Sequence, residues 1–292
     1  MNENYVEFKK ERDLGAIITD AFKFIRVEWK PFFNTVFKIA VIPILIAIIA
    51  ALYYTYSMSN MANGMRMIGD EIPSFAGVGN MFFSIFVMLI AYIIAYIYVN
   101  LGALYYIKSY IENKGNVNPI EVKEQVKEKF WSFLGLGVLI GLIIMASLLL
   151  CFFPAIYTGI VLSLASSILV FENRDVSGAI SQSFNFIKGH FWDTLGVILV
   201  VGLLIGVLSS IFSVPALVYQ LVKTGVSISK EDPQAVFSLF KDPIYLFLTV
   251  LAYIGKFLFY AISLITTVFI YFDINEQKNA SGSIEKIDNL GR

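Results

Sequence analysis

Chemistry in a protein chain needs a nucleophile with its base, a set of metal ligands, or a charge in an unusual place. This chain has one histidine, His190, and one cysteine, Cys151. A transition-metal site takes three or four ligands from His, Cys and carboxylates. His190 stands beside Phe191 and Trp192 at the edge of an apolar run, whereas Cys151 lies inside another, LLLCFFP. The two belong at different levels of the molecule, so no metal site is expected and His190 reads as structural. Cys151 reads as a small buried hydrophobe, and a single cysteine forms no intrachain disulfide. Ser163, Ser166 and Ser167 sit in an apolar segment without a His or acid to activate them, which suits helix packing rather than nucleophilic catalysis. No Gly-Lys-Ser/Thr phosphate loop occurs. The expectation is a protein with no catalytic residues, no metal and no cofactor, and therefore not an enzyme.

One charge does stand in an unusual place. Lys256 lies within AYIGKFLFYAIS, in the middle of an apolar stretch. A lysine at the centre of a membrane helix costs about 2.5–3.5 kcal/mol on insertion scales, and an intramembrane charge is a functional candidate by default. Three roles are open to it: snorkelling to the headgroups, contact with a solute on an internal path, or binding of an anionic phospholipid.

The elements that would position such a residue follow from composition. Hydrophobic residues make up 58% of the 292 and charged residues 15%, against about 45–50% and about 25% in soluble domains. Lys plus Arg equals Asp plus Glu at 22 each, so no basic excess points to nucleic acid. A membrane helix needs about 20 mostly apolar residues. Six windows qualify, at about 34–57, 81–107, 132–152, 155–171, 194–222 and 244–272. The third and fourth are parted only by the region of Pro154, which predicts a tight hairpin. The fifth carries Pro215 and is the candidate for a re-entrant path. The charge-dense N-terminal region lacks the pattern of a cleaved signal peptide, and the polar tail 273–292 reads as disordered.

Two phrases in the flanks are nearly the same. RDLGAIITDAFKFIR (12–26) and RDVSGAISQSFNFIK (174–188) share six identities in fifteen positions. In the first, Leu14, Ile17, Ile18, Ala21, Phe22, Ile25 and Trp29 recur at helical intervals. In the second, Val176, Ala179, Ile180, Ser183, Phe184, Ile187 and Phe191 do so. Asp13 and Asp175 occupy N-cap positions. Phe24 and Phe186 fall beside the stripe, which favours contact with lipid or a neighbouring span. A weaker third copy, NPIEVKEQVKEKFWSF (118–133), begins with Asn118 as cap and Pro119 at the first helical position. Each phrase ends in aromatic residues suited to the headgroup level. The interfacial anchors are Phe22, Trp29, Phe130, Trp131, Phe184, Phe191 and Trp192. The fold class expected is an all-α integral membrane protein. Its six transmembrane helices form three hairpins, each preceded by a cytoplasmic amphipathic interfacial helix, at about 13–30, 118–131 and 175–191. The repeats are parallel, since a whole hairpin separates successive copies. Small-residue spacings at Gly137–Gly141 and Gly202–Gly206 suit close helix packing.

Lys and Arg set the orientation. Seventeen of them lie in the N-terminal flank, the second and fourth loops and the C-terminal tail. Only Arg66, Lys223, Lys230 and Lys241 lie in the loops of the other side. Both termini are therefore expected in the cytoplasm.

The phrases AFKFIRVEWKPFF and FENRDVSGAISQSFNFIKGHFWDTL, followed by long apolar runs, resemble the membrane domain that accompanies some bacterial glycerophosphoryl diester phosphodiesterases, and that domain's stand-alone multi-pass relatives. The likeness covers most of residues 10–275. It implies a multi-pass protein of the bacterial cytoplasmic membrane. The catalytic half of such enzymes is a soluble barrel with an His-Arg pair and metal-binding carboxylates, for which this chain has neither the room nor the histidines. The function expected is non-enzymatic: organising or interacting with lipids, including anionic phospholipid, or with a membrane or cytosolic protein partner. The alternative is a small-solute or lipid transporter with a pathway near Lys256. Acids confined to flanks and loops weigh against ion-coupled transport.

Overall fold

A computed structural model describes residues 5–67, 75–228, 239, 242–282, 284 and 287. Eight α-helices are assigned in it: α1 (Leu14–Met67), α2 (Phe75–Glu112), α3 (Pro119–Leu150), α4 (Phe152–Leu162), α5 (Ala165–Phe171), α6 (Val176–Ile187), α7 (Phe191–Ile228) and α8 (Pro243–Asn279). No strand occurs among the described residues. Six segments are long and apolar enough to cross a membrane: Leu14–Met58, Gly77–Glu112, Pro119–Leu150, Phe152–Phe171, Phe191–Gly225 and Pro243–Asn279. Five of them contain an expected span, and the third ends at Leu150, two residues short of the expected window. The chain is a multi-pass membrane protein of all-α class.

Local chemistry explains several boundaries. The Asp13 carboxylate accepts the Ala16 N–H at 2.7 Å and starts α1. Asn118 accepts the Ile120 N–H at 3.2 Å, and Pro119 fills the first helical position of α3. Asp175 stands at the N-cap of α6, but its side chain accepts no capping hydrogen bond, contrary to expectation. Between the third and fourth spans the helix breaks at Cys151, whose backbone is extended, and Pro154 falls in the first turn of α4. An N–H is dispensable there, so proline costs nothing. Cys151 is exposed rather than buried, as are Leu149, Leu150, Phe152 and Phe153 around it.

Other expectations are corrected. The first and third phrases do not end in a corner. α1 and α3 run unbroken from the amphipathic stretch into the span, through Trp29–Phe33 and Phe130–Phe133. Only α6 is a separate helix, closed by a turn in which Gly189 takes φ +87°. That region favours glycine, which has no Cβ to clash. The fourth span is itself interrupted at Ser163–Leu164. In the fifth, α7 continues unbroken through Pro215. Just before it, the hydroxyls of Ser209, Ser210 and Ser213 donate to carbonyls one turn back, the sort of local readjustment that lets membrane helices carry proline.

The chain divides into two compact units. The first comprises Met1–Ile39, Ile97–Ile205 and Ala261–Arg292. Its core is aromatic. Phe8, in the segment ahead of α1, is fully buried and stacks on Phe269 at 4.3 Å between centroids. Phe24, Tyr110 and Phe272 meet it edge-on at 5.2, 6.1 and 5.9 Å. The Val6 N–H donates to the Tyr110 hydroxyl at 2.9 Å. α8 does not stop at residue 272. Asp273 and Glu276 are buried, and Lys278 donates to the Asn185 and Phe186 carbonyls at 2.6 and 3.0 Å. A lysine at the C-terminal carbonyls of α6 also suits that end's partial negative charge. The expected disordered tail is thus helical to Asn279; of the rest, only 280–282, 284 and 287 are among the described residues.

The second unit comprises Ala40–Tyr96 and Gly206–Tyr260. Asn80 bridges α1 and α2, accepting from the Tyr53 hydroxyl and donating to Ser57, both at 2.8 Å. The Tyr260 hydroxyl donates to that of Tyr96 at 2.6 Å. α7 and α8 meet at Gly255, where a Cβ would stand 2.5 Å from Cγ of Phe212 and 2.7 Å from its Cβ. Those atoms lie near the α7 backbone and cannot swing aside. Gly255→Ala should therefore destabilise by about 1–3 kcal/mol through overpacking. Thermal unfolding in detergent checks this, and Gly255→Ala with Phe212→Ala should recover part of the loss. The other small-residue spacings serve no packing among the described residues. A Cβ added at Gly137, Gly141, Gly202 or Gly206 would meet nothing within 4 Å.

Candidate functional site

The first unit holds a cavity of about 420 Å³ where three helices converge. The first turn of α1 contributes Asp13, Leu14, Gly15 and Ile17, and α7 contributes Asp193, Thr194 and Val197. Ile270, Asp273, Ile274 and Gln277 come from the last part of α8, with Arg12 and His190 completing the wall. Residues of the first phrase, of the stretch just after the second and of the expected tail thus meet around one space.

Arg12 is the fixed point of this wall. Its Nε donates to Asp20 at 2.9 Å. One guanidinium nitrogen donates to the Phe8 and Lys10 carbonyls at 2.8 and 2.9 Å, and the other to the Glu7 carbonyl. Its carbon lies 4.8 Å from the Phe269 ring centre. All of its charge is committed to the segment ahead of α1, to Asp20 and to that ring. Asp273 accepts the Arg12 backbone N–H at 2.7 Å and two bonds from the Gln277 amide at 3.1 and 3.0 Å. By contrast, neither the His190 ring nor the Asp193 carboxylate has a hydrogen-bond partner among the described residues. Thr194 is 2% exposed and its hydroxyl is unpartnered. A buried hydroxyl in that state normally finds a partner, because leaving it unpaired costs about 1–3 kcal/mol.

Sequence reasoning set His190 aside as structural and gave Asp193 and Thr194 no role. A signal existed: the run GHFWDTL places a His, an Asp and a Thr within one turn at the start of a span. The expected anchors divide in two. Phe22, Phe130, Phe184 and Phe191 are half-buried, with Phe191 and Phe184 beside Tyr157 at 5.3 and 6.5 Å and Phe130 beside Tyr98 at 5.4 Å. Trp29, Trp131 and Trp192, which are all the tryptophans of the chain, are exposed at 53, 74 and 78%. Of the two contacts expected for Phe24 and Phe186, lipid or a neighbouring span, the structure gives the second. Phe24 lies edge-on to Tyr110 at 5.2 Å, and Phe186 stacks on Tyr271 at 5.5 Å.

Lys256 belongs to the second unit. It is exposed on α8, with its ammonium 5.7 Å from the Tyr253 ring centre and no carboxylate in salt-bridge range among the described residues. A different cation of that unit is paired: Lys223 lies 3.4 Å from Asp242, which also accepts the Tyr219 hydroxyl at 2.7 Å. The Tyr219 hydrogen bond, followed by the Ile244 and Tyr245 amides and Lys223, holds the Asp242 carboxyl below its ordinary value. A depressed carboxyl contributes above its ordinary range and loses that contribution as pH falls through the lowered value. The contact is partly exposed through Lys223, so its share of stability is small.

No family model matches the chain, nor does any curated protein or solved structure.

Proposed function

We propose that this chain is a non-enzymatic multi-pass protein of the bacterial cytoplasmic membrane, with both termini in the cytoplasm, and that its role is to bind and organise lipid. The observation that carries this reading is the outward exposure of Lys256. An ammonium on the surface of an apolar span, against a tyrosine face and without a carboxylate partner among the described residues, calls for an anion from outside the chain. Phospholipid phosphate is the anion available at a span surface. A solute path would instead need the ammonium turned inward. The three exposed tryptophans are consistent with this role, each standing near the start of an apolar run where ring amphipathicity suits the headgroup level. The matched burial of the phrases adds support for a repeat. The fourth and eighth residues after each cap are buried in all three copies: Ile17 and Ala21, Val122 and Val126, Ala179 and Ser183. The likeness to the membrane domain of glycerophosphoryl diester phosphodiesterases accords with a lipid-facing role and carries no catalytic implication.

Native mass spectrometry of the protein released from membranes tests the reading. Wild type should retain anionic phospholipid, and Lys256→Gln should lose most of it. Equal retention in the two would overturn lipid binding at Lys256.

A further inference from the structure

We propose that the cavity between the N-terminal turns of α1 and α7 and the last part of α8 is a binding site for an organic primary ammonium group. This goes beyond lipid contact at Lys256 and does not depend on it, since the residues belong to the other unit. The charge of the lining sets the sign of the ligand. Three carboxylates, Asp13, Asp193 and Asp273, face one arginine whose guanidinium is already spent on Asp20 and three carbonyls. Two helix N-termini add partial positive charge, but Asp13 already caps the first of them. The remaining acceptors are spread over two helices, with Asp193 unpaired.

Three further features narrow the class. Thr194 lines the space and its buried hydroxyl lacks a partner, which suits a site for a group that hydrogen-bonds. An –NH3+ offers three donors. Quaternary ammonium ions are held by aromatic cages, and no Phe, Tyr or Trp lines this cavity. A bare metal ion is not the natural occupant, because no three His, Cys, Asp or Glu groups come together as ligands among the described residues. The aliphatic walls of Leu14, Ile17, Val197, Ile270 and Ile274 accept the methylenes of the ligand. A volume of about 420 Å³ lies in the range of small-molecule sites. The same ammonium chemistry comes from an aminophospholipid headgroup or from a free aliphatic amine.

The test uses the full chain in detergent and in nanodiscs. Thermal unfolding is followed with 1,4-diaminobutane and with tetramethylammonium. Lipid retention is followed by native mass spectrometry from nanodiscs of mixed phosphatidylethanolamine and phosphatidylcholine. The proposal expects saturable stabilisation by the diamine and not by tetramethylammonium, or selective retention of phosphatidylethanolamine. The first outcome identifies a free amine as ligand and the second a lipid headgroup. In either case Asp193→Asn and Thr194→Val should weaken binding tenfold or more, while Lys256→Gln leaves it unchanged. Asp193 is exposed and unpaired, so its substitution does not threaten folding. Absence of both kinds of binding, equal binding of tetramethylammonium, or indifference to both variants overturns the proposal.

Discussion

Phe8→Ala should destabilise the first unit by about 3–5 kcal/mol, the range for removing a fully buried phenylalanine. Phe8 lies in the short segment ahead of α1, where truncation is ordinarily harmless. Here its ring is wholly buried and stacked on Phe269, with Phe24, Tyr110 and Phe272 around it. Phe24 comes from α1, Tyr110 from α2, and Phe269 and Phe272 from one face of α8, so the loss reaches three helices at once. Thermal or denaturant unfolding in detergent reads the change. Phe8→Leu, which keeps most of the volume, should cost distinctly less. A loss under about 1 kcal/mol for Phe8→Ala would mean that the segment ahead of α1 is an appendage rather than part of the core.

That segment also explains which features were legible in the sequence. The six spans were readable because twenty apolar residues in a row admit few other interpretations. Their exact burial was not, because a helix's inward face depends on what it meets. Of the stripe Leu14, Ile17, Ile18, Ala21, Phe22, Ile25 and Trp29, only Ile17 and Ala21 are buried, Leu14 and Trp29 are exposed, and the buried line runs on to Phe24 beside the stripe. The face is rotated because Phe8 and Tyr110 lie against Phe24. No periodicity within α1 carries that information. The same holds for Phe186, which turns toward Tyr271 of α8. Asp273 and Glu276 read as the start of a polar tail, since acids after an apolar run usually mean solvent. They are buried because the Arg12 and Gly282 backbone amides donate to them, at 2.7 Å each. The cavity was hidden for the same reason: Asp13, Asp193 and Asp273 are far apart in sequence, and only packing joins them.

The aligned arginines of the two near-identical phrases give the sharpest contrast. Arg12→Met should cost about 3–5 kcal/mol, the scale of breaking a buried charge pair. Arg174→Met should cost about 0–1 kcal/mol. The two residues occupy the same position in the phrase, and no property of the phrase separates them. Their surroundings do. The Arg12 side chain is 2% exposed, ties Asp20 to three carbonyls of the chain ahead of α1, and rests on Phe269. Its removal strands those carbonyls and frees the segment that carries Phe8. Arg174 is 45% exposed and pairs with Glu172 at 2.6 Å, two residues away. Water replaces that contact at little cost. Arg12→Lys should recover only part of the loss, because one ammonium cannot reproduce a planar fork reaching four acceptors. Unfolding of the four proteins in one detergent measures the difference directly. If Arg12→Met and Arg174→Met fall within about 1 kcal/mol of each other, Arg12 is not the tie between the N-terminal segment and α1. If Arg12→Met also makes the first residues sensitive to protease while Arg174→Met does not, the duplicated phrase serves in one copy as a lock on the core and in the other as a solvated helix start.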